Sequence, residues 1–170
     1  MKLRWLPNFI TSLRILGTVI LLFLEPASRE FYLVYTATGI TDALDGTLAR
    51  ALKATTTLGS KLDSVADLLF YTVMLLRLLP PLWEQLPWWI WPWVGGILCV
   101  RLSAYVVAYL RTGGFASLHT IWNKMSGFGV FLLPYFLGSR GLLPWSVVVC
   151  VVTSIASGWE LYLHLRRKAQ

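Results

Sequence analysis

Four aspartates lie close together in a chain that is otherwise strongly apolar. They are the only aspartates among 170 residues, and the segment that holds them reads DALDGTLARALKATTTLGSKLDSVAD, residues 42–67. Carboxylate oxygens are the ligands that hard divalent cations such as Mg²⁺ prefer, and four carboxylates can hold two ions that keep positions open for phosphate oxygens. The residue types therefore predict metal-assisted chemistry on a phosphate ester, with Asp42, Asp45, Asp63 and Asp67 as the metal ligands.

Helical periodicity brings these carboxylates to one place. A helix over residues 39–50 collects two aspartates, Arg50 and several small residues on one face. Asp63 and Asp67 are four residues apart, so they share a face of the next helix. A turn between the helices would fold them antiparallel. The four carboxylates are then expected to converge near the cytoplasmic end of the membrane.

Carboxylates at this depth need positive partners. An ionised aspartate inside a bilayer costs roughly 2.5–3.5 kcal/mol on the insertion scale, and like charges close together add repulsion. Any single aspartate here could instead be a paired or water-exposed charge at a helix end. The surrounding residues favour a substrate site, because Gly46 and Gly59 allow close approach and Arg50 offers a guanidinium fork suited to phosphate.

The composition indicates which elements position this segment. The chain is 56% hydrophobic and 14% charged, outside the range of ordinary soluble domains. Apolar stretches of about 20 residues cross a bilayer as helices, and here they follow one another with short connections, some carrying helix-ending residues such as Pro80-Pro81. We predict an all-α polytopic membrane protein with six transmembrane helices in one integral membrane domain, residues 1–170. The predicted spans are 8–25, 30–51, 61–79, 88–110, 122–138 and 143–164.

The distribution of lysine and arginine predicts the orientation. Basic residues concentrate at both termini and at two alternate connections, so by the positive-inside rule both termini and the active site face the cytoplasm, in the cell (inner) membrane. The net charge of +7 then reflects topology and attraction to anionic membrane lipids. Its scatter over loops argues against a nucleic-acid partner. The basic residues on this side include Lys2, Arg4, Arg50, Lys53, Lys61, Arg111, Lys124, Arg166, Arg167 and Lys168.

The aspartate segment resembles the signature of the CDP-alcohol phosphotransferase family, D-x2-DG-x2-AR-x8-G-x3-D-x3-D. Every fixed position is met, and the family's six-helix plan and modest size suit the rest of the chain. The resemblance implies that an alcohol hydroxyl attacks a CDP-linked donor, usually CDP-diacylglycerol, at the phosphorus distal to the cytidine, and that CMP leaves. The matching residues are Asp42, Asp45, Gly46, Ala49, Arg50, Gly59, Asp63 and Asp67.

The resemblance also implies a role for each motif residue. The aspartates would hold two divalent ions, Mg²⁺ or Mn²⁺, and Asp67 would also act as the general base. The remaining motif residues would line the CDP site. Family members are commonly homodimers, which makes a homodimer the assembly to test for. The implied metal ligands are Asp42, Asp45, Asp63 and Asp67, and the implied CDP-site residues are Gly46, Ala49, Arg50 and Gly59.

The acceptor alcohol is less well specified. The opening LPNFITSLRI resembles phosphatidylglycerophosphate synthases and the related cardiolipin synthases, which favours glycerol 3-phosphate or phosphatidylglycerol as the acceptor. Those synthases usually follow the last aspartate with a lysine, where this chain has Leu68. The segment LDSVAD also resembles the corresponding segment of phosphatidylserine synthases, but the Ser-Phe-Gly that tends to follow it there is absent. Phosphatidylglycerol giving cardiolipin, serine and inositol phosphate therefore stay open as acceptors.

A phosphorylated acceptor would need cations beyond the motif. Arg101 lies in the cytoplasmic half of the fourth predicted span, Arg111 lies at its end, and Lys124 opens the fifth. An intramembrane arginine is a functional candidate, although ion pairing or snorkelling to headgroups is the alternative. Arg14 on the first span has a similar claim. His164 is expected at headgroup level near the C-terminus.

A divalent-cation transporter is the alternative from another class, because acidic residues in membrane spans often mark ion pathways. Such a pathway should continue across the membrane, but Glu25, Glu30 and Glu84 sit at or beyond the far interface. A transport function would also not explain why glycines and an arginine recur at fixed spacing among the aspartates. A non-catalytic scaffold is a third alternative. Metal-dependent release of CMP would separate all three.

Overall fold

The computed structural model describes residues 6–51, 57–112 and 121–166. Over these ranges every regular element is helical, with six α-helices, one short 3-10 helix and no strand, which confirms the all-α prediction. The helices are α1 Leu6–Leu21, α2 Arg29–Ala51, α3 Thr57–Gln85, α4 Ile90–Thr112, α5 Ile121–Leu132 and α6 Leu142–Arg166, with the 3-10 helix Leu133–Phe136 between α5 and α6.

Each predicted span overlaps one of the α-helices, and the largest differences concern the ends of α3 and α5. Helix α5 ends at Leu132, before the predicted residue 138, and α3 ends at Gln85, after the predicted residue 79. Pro80-Pro81 was expected to end this helix, whereas α3 continues through both prolines to Gln85. The prediction was wrong: a proline ring fixes φ close to its helical value, so the backbone can stay helical through both residues despite the lost hydrogen bonds and the crowding of the preceding turn.

Three helical segments among the described residues are long and apolar enough to cross a membrane: Val65–Gln85, Ile90–Leu110 and Leu142–Arg166. A shorter apolar helix covers Phe9–Leu21. Large apolar side chains such as Leu102 remain exposed on these helices, as expected of surfaces that contact lipid. The apolar helices fit an integral membrane protein, and the number of six spans stays a prediction.

The chain divides into two compact units, an N-terminal unit Met1–Leu82 and a C-terminal unit Trp83–Gln170. In the N-terminal unit, α1 packs against α2. The ring of Tyr35 on α2 stacks against Phe31 on the same helix and against Phe70 on α3, with centroid separations of 5.9 and 5.8 Å. This aromatic stack therefore links the two helices that carry the aspartate motif.

The close approach of α1 and α2 depends on Gly17. A Cβ atom at this position would lie 2.5 Å from Oγ1 of Thr38, and that hydroxyl is held in place because it donates a hydrogen bond to the carbonyl of Val34 (2.7 Å). Thr38 is buried, so relief would require either that its side chain rotates and loses this hydrogen bond or that the two helices separate.

We expect Gly17→Ala to destabilise the protein by about 1–3 kcal/mol relative to Gly95→Ala, the usual range for overpacking. The second variant is the matched control, because nothing lies within 4 Å of a Cβ at Gly95 and both changes share the same gain in helix propensity. Thermal unfolding in detergent measures the difference. Adding Thr38→Ala should recover the loss, and equal stability of the two glycine variants would contradict the packing argument.

The C-terminal unit is built on α6, which packs against both α4 and α5. Two indole groups make hydrogen bonds between these helices. Nε1 of Trp93 on α4 donates to the hydroxyl of Ser154 on α6 (3.1 Å), and Nε1 of Trp145 on α6 donates to the carbonyl of Gly129 on α5 (3.0 Å). Both indole side chains are half-buried, and their hydrogen bonds tie α6 to α4 and to α5.

Candidate active site

The aspartate motif occupies the end of α2 and the beginning of α3. The helix-connection-helix arrangement follows the predicted one, since α2 ends at Ala51 and α3 begins at Thr57. Asp42, Asp45, Gly46, Ala49 and Arg50 lie on α2, and Gly59, Asp63 and Asp67 lie on α3.

Asp67 is the motif carboxylate whose side chain the structure describes. The side chains of Asp42, Asp45 and Asp63, like those of Arg50 and Arg111, lie outside the described residues. The convergence of the four carboxylates therefore stays a prediction, and what can be examined directly is the environment of Asp67.

Asp67 forms a direct ion pair with Arg14. Nη1 of Arg14 on α1 donates to Oδ1 of Asp67 on α3 at 2.7 Å. The arginine side chain is only 2% exposed, whereas the aspartate side chain is 43% exposed. A short, charge-assisted hydrogen bond of this kind restricts both partners. Arg14 thus orients a carboxylate that remains accessible, which favours the ion-pairing alternative for Arg14 over an acceptor-binding role.

The chemistry of the motif side chains fits a divalent metal ion. Aspartate oxygens are hard ligands that suit Mg²⁺ and Mn²⁺, and the accessible carboxylate of Asp67 could contribute an oxygen. Within the described ranges no group of three His, Cys, Asp or Glu could hold a metal. Asp42, Asp45 and Asp63, whose side chains lie outside those ranges, are the residues that would complete the set.

Arg101 belongs to a second group of polar residues, in the C-terminal unit. Its Nη2 on α4 donates to Oδ1 of Asn123 on α5 (2.9 Å), and Nδ2 of Asn123 donates to Oε2 of Glu160 on α6 (3.1 Å). Nε2 of His164, one turn further along α6, lies 4.0 Å from Oε1 of Glu160. We call Arg101, Asn123, Glu160 and His164 the polar chain. Lys124, the other predicted cation whose side chain is described, is exposed.

Comparison with known proteins identifies the family. The model of the CDP-alcohol phosphatidyltransferase family matches residues 4–156. The chain belongs to the CDP-alcohol phosphatidyltransferase family. This confirms the resemblance seen in the aspartate motif, and it extends the likeness from that segment to most of the chain.

One curated relative of this CDP-alcohol phosphatidyltransferase comes from Pseudomonas fluorescens and is named CDP-diacylglycerol–glycerol-3-phosphate 3-phosphatidyltransferase. The two are 41% identical over 90 residues, which are 48% of this chain and 46% of the relative. The chain thus matches about half the length of that relative. No solved structure matches the chain.

Two members of the polar chain of this CDP-alcohol phosphatidyltransferase were not predicted. Glu160 is fully buried, and Asn123 is half-buried beside it. His164 is only 1% exposed, and its expected depth at headgroup level stays a prediction. Helix α6 is apolar around most of its circumference, and periodicity therefore did not show which face is buried. A carboxylate inside a predicted span was the signal that could have found Glu160.

Proposed function

We propose that the protein transfers the phosphatidyl group of CDP-diacylglycerol to glycerol 3-phosphate and releases CMP. The observation that carries the proposal is the complete eight-position motif on α2 and α3 of a chain that the family model matches over residues 4–156. The name of the Pseudomonas fluorescens relative supports glycerol 3-phosphate as the acceptor, as does the N-terminal segment LPNFITSLRI.

The chain's own residues would act as follows. Asp67 takes the proton from the acceptor hydroxyl. The hydroxyl oxygen then bonds to the phosphorus distal to the cytidine, and the bond between that phosphorus and the CMP oxygen breaks. Arg14 keeps the Asp67 carboxylate in position through their 2.7 Å contact. Arg50 binds donor phosphate oxygens.

Divalent ions are the proposed cofactors. Two Mg²⁺ or Mn²⁺ ions, held by Asp42, Asp45, Asp63 and Asp67, would offset the negative charge of the pyrophosphate and of the departing CMP. The oxygen-only side chains of the motif support this assignment.

The proposed setting is the cell (inner) membrane, with six transmembrane helices, both termini in the cytoplasm and the active site on that face. Three long apolar segments support membrane insertion, and the lysine and arginine distribution supports the orientation. CDP-diacylglycerol, which carries two acyl chains, would reach the site from the bilayer. Cysteine labelling of a C-terminal reporter in sealed vesicles would test which side the tail occupies.

An acceptor screen tests the proposal. Purified full-length protein with CDP-diacylglycerol and Mg²⁺ or Mn²⁺ is offered glycerol 3-phosphate, phosphatidylglycerol, serine, inositol or inositol phosphate, one at a time. We expect CMP release with glycerol 3-phosphate. Release with another acceptor alone would reassign the substrate, and no release with any, accompanied by Mn²⁺ uptake into proteoliposomes, would favour the transporter.

A further inference from the structure

Two arginines connect α1 and α3 within the N-terminal unit, at two different levels. Arg14 on α1 donates to Asp67 on α3, and Nη2 of Arg77 on α3 donates to the backbone carbonyl of Leu24, just beyond the end of α1. The partners are 53 residues apart in sequence in both contacts. Helices α1 and α3 therefore run parallel in one register, and the two contacts lie about 15 Å apart along α3.

Arg77 contacts the backbone of α1 and not one of its side chains. Backbone hydrogen bonds from the amides of Leu22 and Phe23 to the preceding turn continue the coil of α1, so the Leu24 carbonyl is held to the end of that helix. Carbonyls at a helix C-terminus attract cations. Because a backbone acceptor cannot change rotamer, the Arg77 contact restrains the position of α1 along α3.

Stability alone does not explain an arginine at position 77. Arg77 lies within the apolar segment Val65–Gln85, where a charged side chain is costly. Its Nε is buried and has no hydrogen-bond partner in the described part of the chain, which adds a second cost. An apolar residue would avoid both costs. The hydrogen bond to the end of α1 is therefore the better explanation for Arg77.

The register of α1 determines how the Arg14 guanidinium meets the Asp67 carboxylate. Arg14 is almost completely buried, and side chains in a close-packed interior have little room to change conformation. Arg14 therefore has to follow any shift of its helix. A shift of about 1 Å along α3 would lengthen the 2.7 Å hydrogen bond to Asp67 beyond the favourable range and change its direction.

We propose that Arg77 is a positioning residue for the transfer reaction. It holds α1 in register with α3, and through that register it keeps Arg14 against the Asp67 carboxylate. In this role Arg77 does not touch the substrates. Its effect on the reaction rests on the proposed function, in which Asp67 is the general base, whereas its effect on the register does not.

The distance between spin labels on α1 and α3 tests the register without any turnover. Leu16→Cys and Leu75→Cys place the labels at exposed positions of the two helices, in full-length protein whose two native cysteines are replaced by alanine. We expect Arg77→Met to broaden the distance distribution or to shift its mean by about 1–2 Å, the usual size of a helix shift. Arg140→Met is the matched control, because it removes an exposed arginine from the C-terminal unit, and it should leave the distribution unchanged.

Kinetics show whether the register matters for transfer. Arg77→Met should lower kcat for CMP release with glycerol 3-phosphate by about tenfold, within the loss that a misplacement of about 1 Å can cause. The Kd of CDP-diacylglycerol should change by less than about twofold. Arg77→Lys keeps a charged donor and should recover most of the rate. Thermal unfolding checks every variant, and Arg77→Gln replaces Arg77→Met, with the same expectations, if the methionine variant does not fold.

A double-mutant cycle tests whether Arg77 acts through Arg14. Arg14→Met alone should lower kcat, because it removes the group that orients Asp67. Adding Arg77→Met to Arg14→Met should then cause no further loss, since the contact that depends on the register is already absent. Losses that multiply in the double variant would mean that Arg77 acts independently of Arg14.

Three outcomes would overturn the proposal: an unchanged distance distribution in folded Arg77→Met, equal kcat values for Arg77→Met and Arg140→Met, or multiplying losses in the double-mutant cycle. Failure of the proposed function would look different. The wild type would then release no CMP with glycerol 3-phosphate, while Arg77→Met would still change the distance distribution and Arg140→Met would not. That result would leave Arg77 as the residue that sets the register and would reject the transfer reaction.

Discussion

Asparagine in place of Asp42, Asp45 or Asp63 is expected to lower metal-dependent CMP release by about a thousandfold in each case. A bound metal ion supplies several kcal/mol of charge stabilisation in the transition state, and several kcal/mol correspond to a rate factor of this order. Asparagine matches aspartate in size but lacks its charge, so the loss is expected to reflect metal binding and not packing.

Two measurements check this expectation. CMP release gives the rate, and the electron paramagnetic resonance signal of free Mn²⁺ gives metal binding without any turnover. The control is Glu84→Gln, which neutralises an exposed acid outside the motif and should behave as wild type in both. Wild-type rates and wild-type Mn²⁺ binding in any of the three folded asparagine variants would remove that aspartate from the metal site.

Asp67→Asn is expected to lower kcat by about 10²–10⁴-fold, the usual contribution of a positioned general base, while the Kd of CDP-diacylglycerol changes only a few-fold. The difference arises because the base acts on the hydroxyl proton in the transition state and contributes less to the bound ground state. Asparagine keeps an oxygen that can accept the hydrogen bond from Arg14, so this bond between α1 and α3 can still form in the variant.

Equilibrium binding of CDP-diacylglycerol, measured beside the rate of CMP release, separates the role of Asp67 as general base from its role as metal ligand. Arg14→Lys is a useful comparison, because a lysine keeps the positive charge beside Asp67 but loses the planar guanidinium that orients it. We expect a smaller loss of kcat from Arg14→Lys than from Asp67→Asn. Parallel losses of rate and donor affinity in Asp67→Asn would instead assign Asp67 to metal holding alone.

The sequence was a good guide where local rules decide the structure. Apolar runs of membrane-spanning length predicted the helices, and each predicted span overlaps one of them. The spacing of Asp42 and Asp45, then of Asp63 and Asp67, placed the motif on two successive helices, and the observed α2 and α3 agree. These features depend on 3.6-residue periodicity and on composition, which can be seen in a single chain.

Long-range pairing was not predictable in the same way. Arg14 and Asp67 are 53 residues apart in sequence, and nothing local distinguishes Arg14 from the other arginines considered as acceptor ligands. Glu160 and His164 share a face of α6, but which face packs inward depends on α4 and α5. At Pro80-Pro81 the general tendency of proline to end a helix did not hold.

The central claim is tested most directly by following CMP release and lipid product together. Purified protein is given CDP-diacylglycerol, Mg²⁺ and radiolabelled glycerol 3-phosphate, and both CMP and label extracted into organic solvent are counted over time. We expect the two to appear in equal amounts, to stop when EDTA is added and to resume with excess Mg²⁺ or Mn²⁺. The absence of CMP, or release of CMP without label in the lipid phase, would contradict transfer to glycerol 3-phosphate.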